Sequence, residues 1–194
     1  MADTALVLAS ASPRRRELLA QIGVRFSCRS ADIDESVLEA ETSSQYVSRL
    51  AMQKALAVAS LESDVWVLGS DTSVVCEQQI LGKPANKDDA VATLLMLSGR
   101  RHQVLTAVAL VRGERQHALL VTTDVLFKTL SRAECEQYWE TGEPQDKAGS
   151  YAIQGLGAVF VERVEGSYSA VVGLPLQETA QLLQQLGIAI WQQD

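Results

Sequence analysis

The chain has 194 residues, 47% of them hydrophobic and 21% charged, a balance that excludes disorder and buries a core without disulfides or a structural metal. A formal net charge of −7 with 5% aromatic residues counts against a general nucleic-acid binder, which needs a basic surface and exposed rings.

In chain order, residues 6–9 are a short apolar run and predict a strand. Ser12 and Pro13 predict the N-cap and first position of a helix over 13–22, closed by Gly23. A second helix is predicted over 44–61. Residues 65–68 predict a short buried strand ending at Gly69-Ser70-Asp71-Thr72, with a further apolar run at Val74-Val75. A third helix is predicted over 88–97 with Asp88 as N-cap. Residues 104–111 and 118–130 predict two strands joined by a turn at Arg112-Gly113-Glu114. Ser131 and Glu134 have capping-box spacing and open a helix stopped by Gly142. A polar loop over 143–150, a strand over 158–164 and a turn at Glu165-Gly166 follow. Pro175 opens a last helix ending at Gly187. Helices and strands interleave around one long hairpin, so the expected class is α/β with a mixed sheet rather than a purely parallel one.

Cys28, Cys76 and Cys135 are scattered and form no CxxC pair, so they are expected to be partly buried thiols in a reducing compartment. His102 and His117 are isolated and offer no usual zinc site. No segment approaches ~18 consecutive apolar residues, and residues 1–7 lack the marks of a leader. The expectation is a cytoplasmic protein with no membrane partner.

Five constellations can carry chemistry. Ser10-Ala11-Ser12-Pro13-Arg14-Arg15-Arg16 runs from an apolar strand into a helix start. The unpaired N–H groups there, the hydroxyls and the planar guanidinium groups suit a phosphate; a capped helix with a solvated basic face is the plainer alternative. The spacing differs from a Walker-type loop. Lys54 falls in the apolar stripe of residues 47, 50, 51, 54 and 58. It either snorkels to water or reaches a buried acid or a phosphate. Asp71, expected at a strand end, is a candidate proton acceptor or metal ligand, or else a turn-forming residue. Lys83 in Gly82-Lys83-Pro84 and Lys147 beside Gly149 are cations next to turn residues, and the Gln154 amide can read a base edge; each also passes for an ordinary loop. In the acidic run Asp32-Ile33-Asp34-Glu35, Glu35 is a candidate second metal carboxylate, or part of a solvated loop.

The chain resembles the Maf family of nucleotide pyrophosphatases over nearly its whole length. The motifs are Leu8-Ala9-Ser10 through Arg15, Ala51 through Lys54-Ala55, Gly69-Ser70-Asp71-Thr72, Gly82-Lys83-Pro84, Ser98-Gly99 through His102-Gln103-Val104, Asp146-Lys147-Ala148-Gly149 and Val172-Gly173-Leu174-Pro175-Leu176. The resemblance implies one Maf-like domain over 1–194, with an elongated mixed sheet in two lobes and a site in a central cleft. It implies cleavage of a nucleoside triphosphate to monophosphate and pyrophosphate with a divalent cation, Mg²⁺ or Mn²⁺. Asp71 falls where the family places its proton acceptor and, with Glu35, is taken as metal ligand. Ser10, Ser12, Arg15, Lys54, Lys83 and Lys147 are assigned to phosphate. Arg14, Thr72 and Gln154 stand at the positions that set substrate choice, and this trio looks like the dTTP/UTP branch. A 7-methyl-GTP pyrophosphatase and a nucleotide-binding regulator of cell division are the alternatives. Ala11 and Ser70 replace a frequent glycine and alanine, both small changes. No nucleic-acid partner is implied, and a homodimer is left open.

Overall fold

The computed structural model describes residues 6–62 and 64–192. Residues 1–5, which carry most of the leader reading, lie outside them. The strands are β1 (Leu6–Leu8), β2 (Ser27–Cys28), β3 (Trp66–Cys76), β4 (Gln79–Leu81), β5 (Arg101–Arg112), β6 (Arg115–Phe127) and β7 (Val161–Glu165). The helices are α1 (Pro13–Gln21), α2 (Ser43–Ala59), α3 (Lys87–Leu97), α4 (Arg132–Glu140), α5 (Tyr168–Val172) and α6 (Leu176–Gln185). The sheet order is β2-β1-β3-β5-β6-β7, with β4 paired to β3. β1 pairs parallel with β2 and β3, whereas β3–β4 and β6–β7 are antiparallel. The sheet is therefore mixed, as the central hairpin predicts. Among the described residues no helix is long and apolar enough to cross a membrane.

Contacts divide the chain into two compact units. The first holds Met1–Asp71, Thr106–Val121 and Gly173–Asp194. Its buried residues include Leu6, Leu8, Leu19, Leu50, Val58, Leu68, Leu110 and Leu183. α2 is closed at its start by a capping box between Thr42 and Gln45 and buries Val47, Leu50, Ala51, Ala55 and Val58. That face lies against β3 at Gly69. A Cβ on Gly69 would sit 2.2 Å from the Ala51 carbonyl oxygen and 2.7 Å from the Ala55 nitrogen.

This close approach corrects one expectation. Gly69-Ser70-Asp71-Thr72 has turn composition, yet it continues β3, and Asp71 stands mid-strand rather than at a strand end. The glycine makes room for a helix backbone. The Ser70 hydroxyl donates to the Gly173 carbonyl at 3.2 Å, and Asp71 accepts from Lys54. Polar residues remain in a buried strand because each finds a partner there.

The second unit holds Thr72–Leu105 and Thr122–Val172. Leu94, Leu97, Phe127, Cys135 and Phe160 are buried in it. α4 opens with the capping box expected of Ser131 and Glu134. α3 is capped by Asn86, whose side chain accepts from Asp89 N; the expected cap Asp88 lies two residues further on, in the first turn, where its charge suits the positive end of the helix. The strand expected over 158–164 begins only at Val161, because residues Leu156–Phe160 form a 3-10 turn. Residues 143–150, expected as a loop, wind into two short 3-10 turns. β2, β4 and α5 are too short for a periodicity to announce them. Cys76 and Cys135 are buried as expected, but Cys28 on β2 is exposed.

His102 is fully buried, edge-on to Phe127 and Tyr151, with its Nε2 2.9 Å from the Tyr151 hydroxyl. Burial lowers its pKa from 6.5 to about 4.

Two outcomes follow from this packing. Gly69→Ala must push α2 away from β3, and urea denaturation should show a loss of about 2–3 kcal/mol; an unchanged midpoint contradicts the close approach. Between pH 6.5 and about 4 the unfolded chain takes up a proton that folded His102 refuses. Stability should therefore be full above that window and fall as pH drops through it, by up to about 3 kcal/mol. His102→Gln should flatten that part of the curve.

Candidate active site

The start of α1 gathers groups whose chemistry suits an anion. Ser12 is the N-cap and accepts from Arg15 N at 3.5 Å, while Ser10 Oγ accepts from Ser12 N at 3.1 Å. Each hydroxyl keeps a proton to donate. The first turn carries Arg14 and Arg15 and no acidic residue. A helix N-terminus is already positive, and a cation there is disfavoured by ~0.3–1 kcal/mol. Two arginines in this turn work against their own helix and in favour of a multiply charged anion. Arg14 and Arg15 are half-buried, whereas Arg16 is exposed, in keeping with a solvated role.

Arg15 is held from the far end of the chain. Its Nε donates to the Gly173 carbonyl at 2.8 Å, the same oxygen that accepts from Ser70. Burial lowers its pKa, against the pull of the Asp71 carboxylate.

The stripe on α2 resolves the ambiguity of Lys54. It does not snorkel to water: its Nζ lies 2.7 Å from Asp71 Oδ1 and 2.7 Å from Glu35 Oε1. The Lys54 and Asp71 side chains are 12% and 10% exposed, Glu35 54%. Burial raises the Asp71 carboxyl above the ordinary carboxylate range. Lys54, by charge and hydrogen bond, and then Arg15 restrain that rise, while Glu35 adds to it.

Glu35 belongs to an irregular segment that α2 pins in place. Arg49 donates to both carboxylate oxygens of Glu41, at 2.6 and 2.7 Å, and to the Ser36 carbonyl at 2.9 Å. The Tyr46 hydroxyl donates to the Glu35 carbonyl at 2.9 Å. Asp34 is turned to its own loop, accepting from the amide and hydroxyl of Ser36. An exposed glutamate is thereby kept on Lys54.

The remaining predicted residues lie in the second unit. Thr72 is the next residue of β3. Lys83 is exposed in the loop after β4, and Gly149 N donates to the Gly82 carbonyl at 3.1 Å, bringing that loop beside the turn after Lys147. Lys147 pairs with Asp146. Gln154 is exposed on a turn in which Gly155 N donates to the Ala152 carbonyl at 3.2 Å.

Ser10, Ser12, Arg14, Arg15, Glu35, Lys54 and Asp71 thus share the first unit, and Thr72, Lys83, Lys147 and Gln154 the second. Sequence reasoning misses Gly173, because a carbonyl acceptor leaves no side-chain signal. It also misses Arg49 and Tyr46, which look like ordinary solvated positions of a helix.

A family model described as "Maf-like protein" matches residues 5–186. The dTTP/UTP pyrophosphatase of Colwellia psychrerythraea is 58% identical over 187 residues, covering 94% of this chain and 88% of its own. That of Vibrio vulnificus is 60% identical over 180 residues, 92% of this chain and 96% of its own. That of Pseudoalteromonas atlantica is 56% identical over 188 residues, 95% and 98% respectively. The Ham1 protein of Staphylococcus aureus gives a TM-score of 0.44 at 14% identity, over 63% of this chain and 71% of that one, a likeness too distant to bear on the fold.

The Lys54–Asp71 contact can be tested by titration. Lys54→Met removes the main influence that restrains the Asp71 pKa, so the Asp71 carboxyl resonance should titrate at a higher pH than in the wild type. An unchanged midpoint rules out the contact as the restraint.

Proposed function

The chain belongs to the Maf-like protein family, and from that premise we propose that it hydrolyses dTTP and UTP to the nucleoside monophosphate and pyrophosphate. Relatives at 54–60% identity carry that activity in their names. The family match over residues 5–186 supports one Maf-like domain. The observation that carries the reading is a raised, buried carboxylate, Asp71, paired to Lys54 and flanked by Arg15 from a helix start rich in cations.

Ser10, Ser12 and Arg15, at the positive end of α1, take the triphosphate oxygens, and Lys54, Lys83 and Lys147 add positive charge to them. Asp71 Oδ1 is engaged by Lys54, and its other oxygen accepts a proton from water. The water oxygen bonds to the α-phosphorus, the bond from that phosphorus to the bridging oxygen of the β-phosphate breaks, and pyrophosphate leaves with the electron pair. The raised pKa makes Asp71 a better base near neutral pH than an ordinary aspartate. Arg14, Thr72 and Gln154 select the base. The Gln154 amide both donates and accepts, as the N–H and carbonyl edge of uracil or thymine requires.

A divalent metal fits this donor set. Asp71 and Glu35 both reach the Lys54 ammonium, at 2.7 Å each, and these two neighbouring carboxylates would hold the ion. Mg²⁺ or Mn²⁺ takes one or two carboxylates and completes its shell with substrate phosphates and water. Held by Asp71 and Glu35, such an ion would neutralise developing phosphate charge.

Pyrophosphate release is the assay. Asp71→Asn keeps an acceptor for Lys54 but cannot take a proton, and turnover of dTTP with Mg²⁺ or Mn²⁺ should fall by about a hundredfold or more. Turnover within a few-fold of wild type removes Asp71 from the role. A wild-type enzyme that prefers 7-methyl-GTP, or that binds nucleotide without releasing pyrophosphate, overturns the substrate reading.

A further inference from the structure

Buried Tyr138 and half-buried Glu143, which the proposed chemistry does not use, form a clamp around the turn that carries Gln154. The Glu143 carboxylate accepts from Leu156 N at 2.8 Å and Gly157 N at 2.9 Å, and its Oε2 also accepts from the Tyr138 hydroxyl. The Tyr138 oxygen in turn accepts from Ala152 N at 3.1 Å. The chain is therefore tied on both flanks of Gln154, at Ala152 before it and at Leu156 and Gly157 after it. The cross-turn bond from Gly155 N to Ala152 O closes the loop between those ties.

The two glycines of Gln154-Gly155-Leu156-Gly157 belong to the same device. A Cβ on Gly155 would lie 2.0 Å from Glu143 Oε1, and one on Gly157 2.6 Å from the Tyr138 oxygen. Neither glycine has a positive φ forced upon it. They are small because the clamp leaves no room. Although burial opposes it, the Tyr138 hydroxyl and the amides of Gly157 and Leu156 hold the Glu143 carboxyl below its usual range, so it remains an all-acceptor group. Burial, then the neighbouring carboxylate, pushes the Tyr138 hydroxyl up, so it remains a donor.

We propose that Glu143, with Tyr138, is a positioning residue for substrate choice: it fixes the turn 152–155 so that Gln154 meets the base edge of a pyrimidine nucleotide in one orientation. This rests on the reading of Gln154 as the base-selecting residue. Gln154 is exposed, so its side chain gains little orientation from packing. A backbone locked on both sides removes much of the entropy that its amide must lose on binding.

Glutamine at 143 has the right shape and the wrong chemistry. It offers one acceptor oxygen and turns an N–H₂ donor toward an amide N–H. Tyr138→Phe keeps the ring against Phe160, 5.0 Å away, and deletes the hydroxyl that links Glu143 to Ala152.

The test is the ratio of kcat/KM for UTP over CTP. These substrates share ribose and triphosphate and differ only at the base edge. Damage to the fold or to the hydrolytic step lowers both together and leaves the ratio alone. Glu143→Gln and Tyr138→Phe should each reduce the ratio by about tenfold, the equivalent of one lost hydrogen bond, mainly through a higher KM for UTP. Gln154→Ala should reduce it at least as far, and adding Glu143→Gln to Gln154→Ala should reduce it no further. If Gln154→Ala lowers the ratio but both clamp variants leave it unchanged, the positioning role is wrong and the Gln154 reading stands. If Gln154→Ala leaves the ratio unchanged, that reading fails and takes the clamp's role with it.

Discussion

A single ammonium group, Lys54 Nζ, holds the candidate site together. Removing a carboxylate from water inside a β-strand is costly unless a counter-charge comes with it. Asp71 is mid-strand and nearly buried, and Lys54 comes to it from α2, the helix whose Ala51 and Ala55 backbone touches Gly69 two residues earlier. The glycine contact and the ion pair are one arrangement. Only a helix pressed this closely on the strand brings a lysine one turn along it to the aspartate. Desolvation still wins in part, since the Asp71 carboxyl lies above its ordinary range despite the pairing. A carboxyl whose charged form burial disfavours in this way is suited to the proton-accepting role proposed for it.

Around that pair, charge is arranged against local preference. The first turn of α1 has arginines where a helix favours carboxylates, and no acid offsets them. Glu35 is exposed yet held on Lys54 through Arg49 and Tyr46. Such local conflicts are tolerable where a ligand resolves them. In the proposed reaction a triphosphate answers the first, and a divalent cation held by Glu35 and Asp71 would answer the second.

How much of this was legible depended on whether an interaction is local in sequence. The Ser12 cap, the Ser131–Glu134 capping box and the apolar stripe on α2 rest on spacings of a few residues, and the structure has each of them. The anion character of the α1 start follows from the same local facts. The chemistry of Asp71 marks it out in the sequence, but its position in mid-strand is hidden, because loop-like composition at 69–72 conceals three tertiary partners: the α2 backbone, the Gly173 carbonyl and Lys54. Gly173 lies 158 residues from Arg15, and no periodicity links such positions. The strand expected at 158 failed for a like reason. A distant carboxylate, Glu143, claims the amides of Leu156 and Gly157 and bends that stretch into a 3-10 turn.

The two sets of residues are fixed by different means, and this bears on how such a protein changes its substrate. Lys54 and Asp71 project from the interior of a helix and a strand, and Arg15 from a helix start, so any shift there disturbs the core. Gln154 sits on a surface turn held by four hydrogen bonds, one across the turn and three to Glu143 and Tyr138. Replacing the residue at the tip of that turn leaves its backbone ties and the phosphate-binding elements untouched. On the roles proposed for these residues, base selection can therefore vary independently of triphosphate cleavage, provided that the clamp is kept.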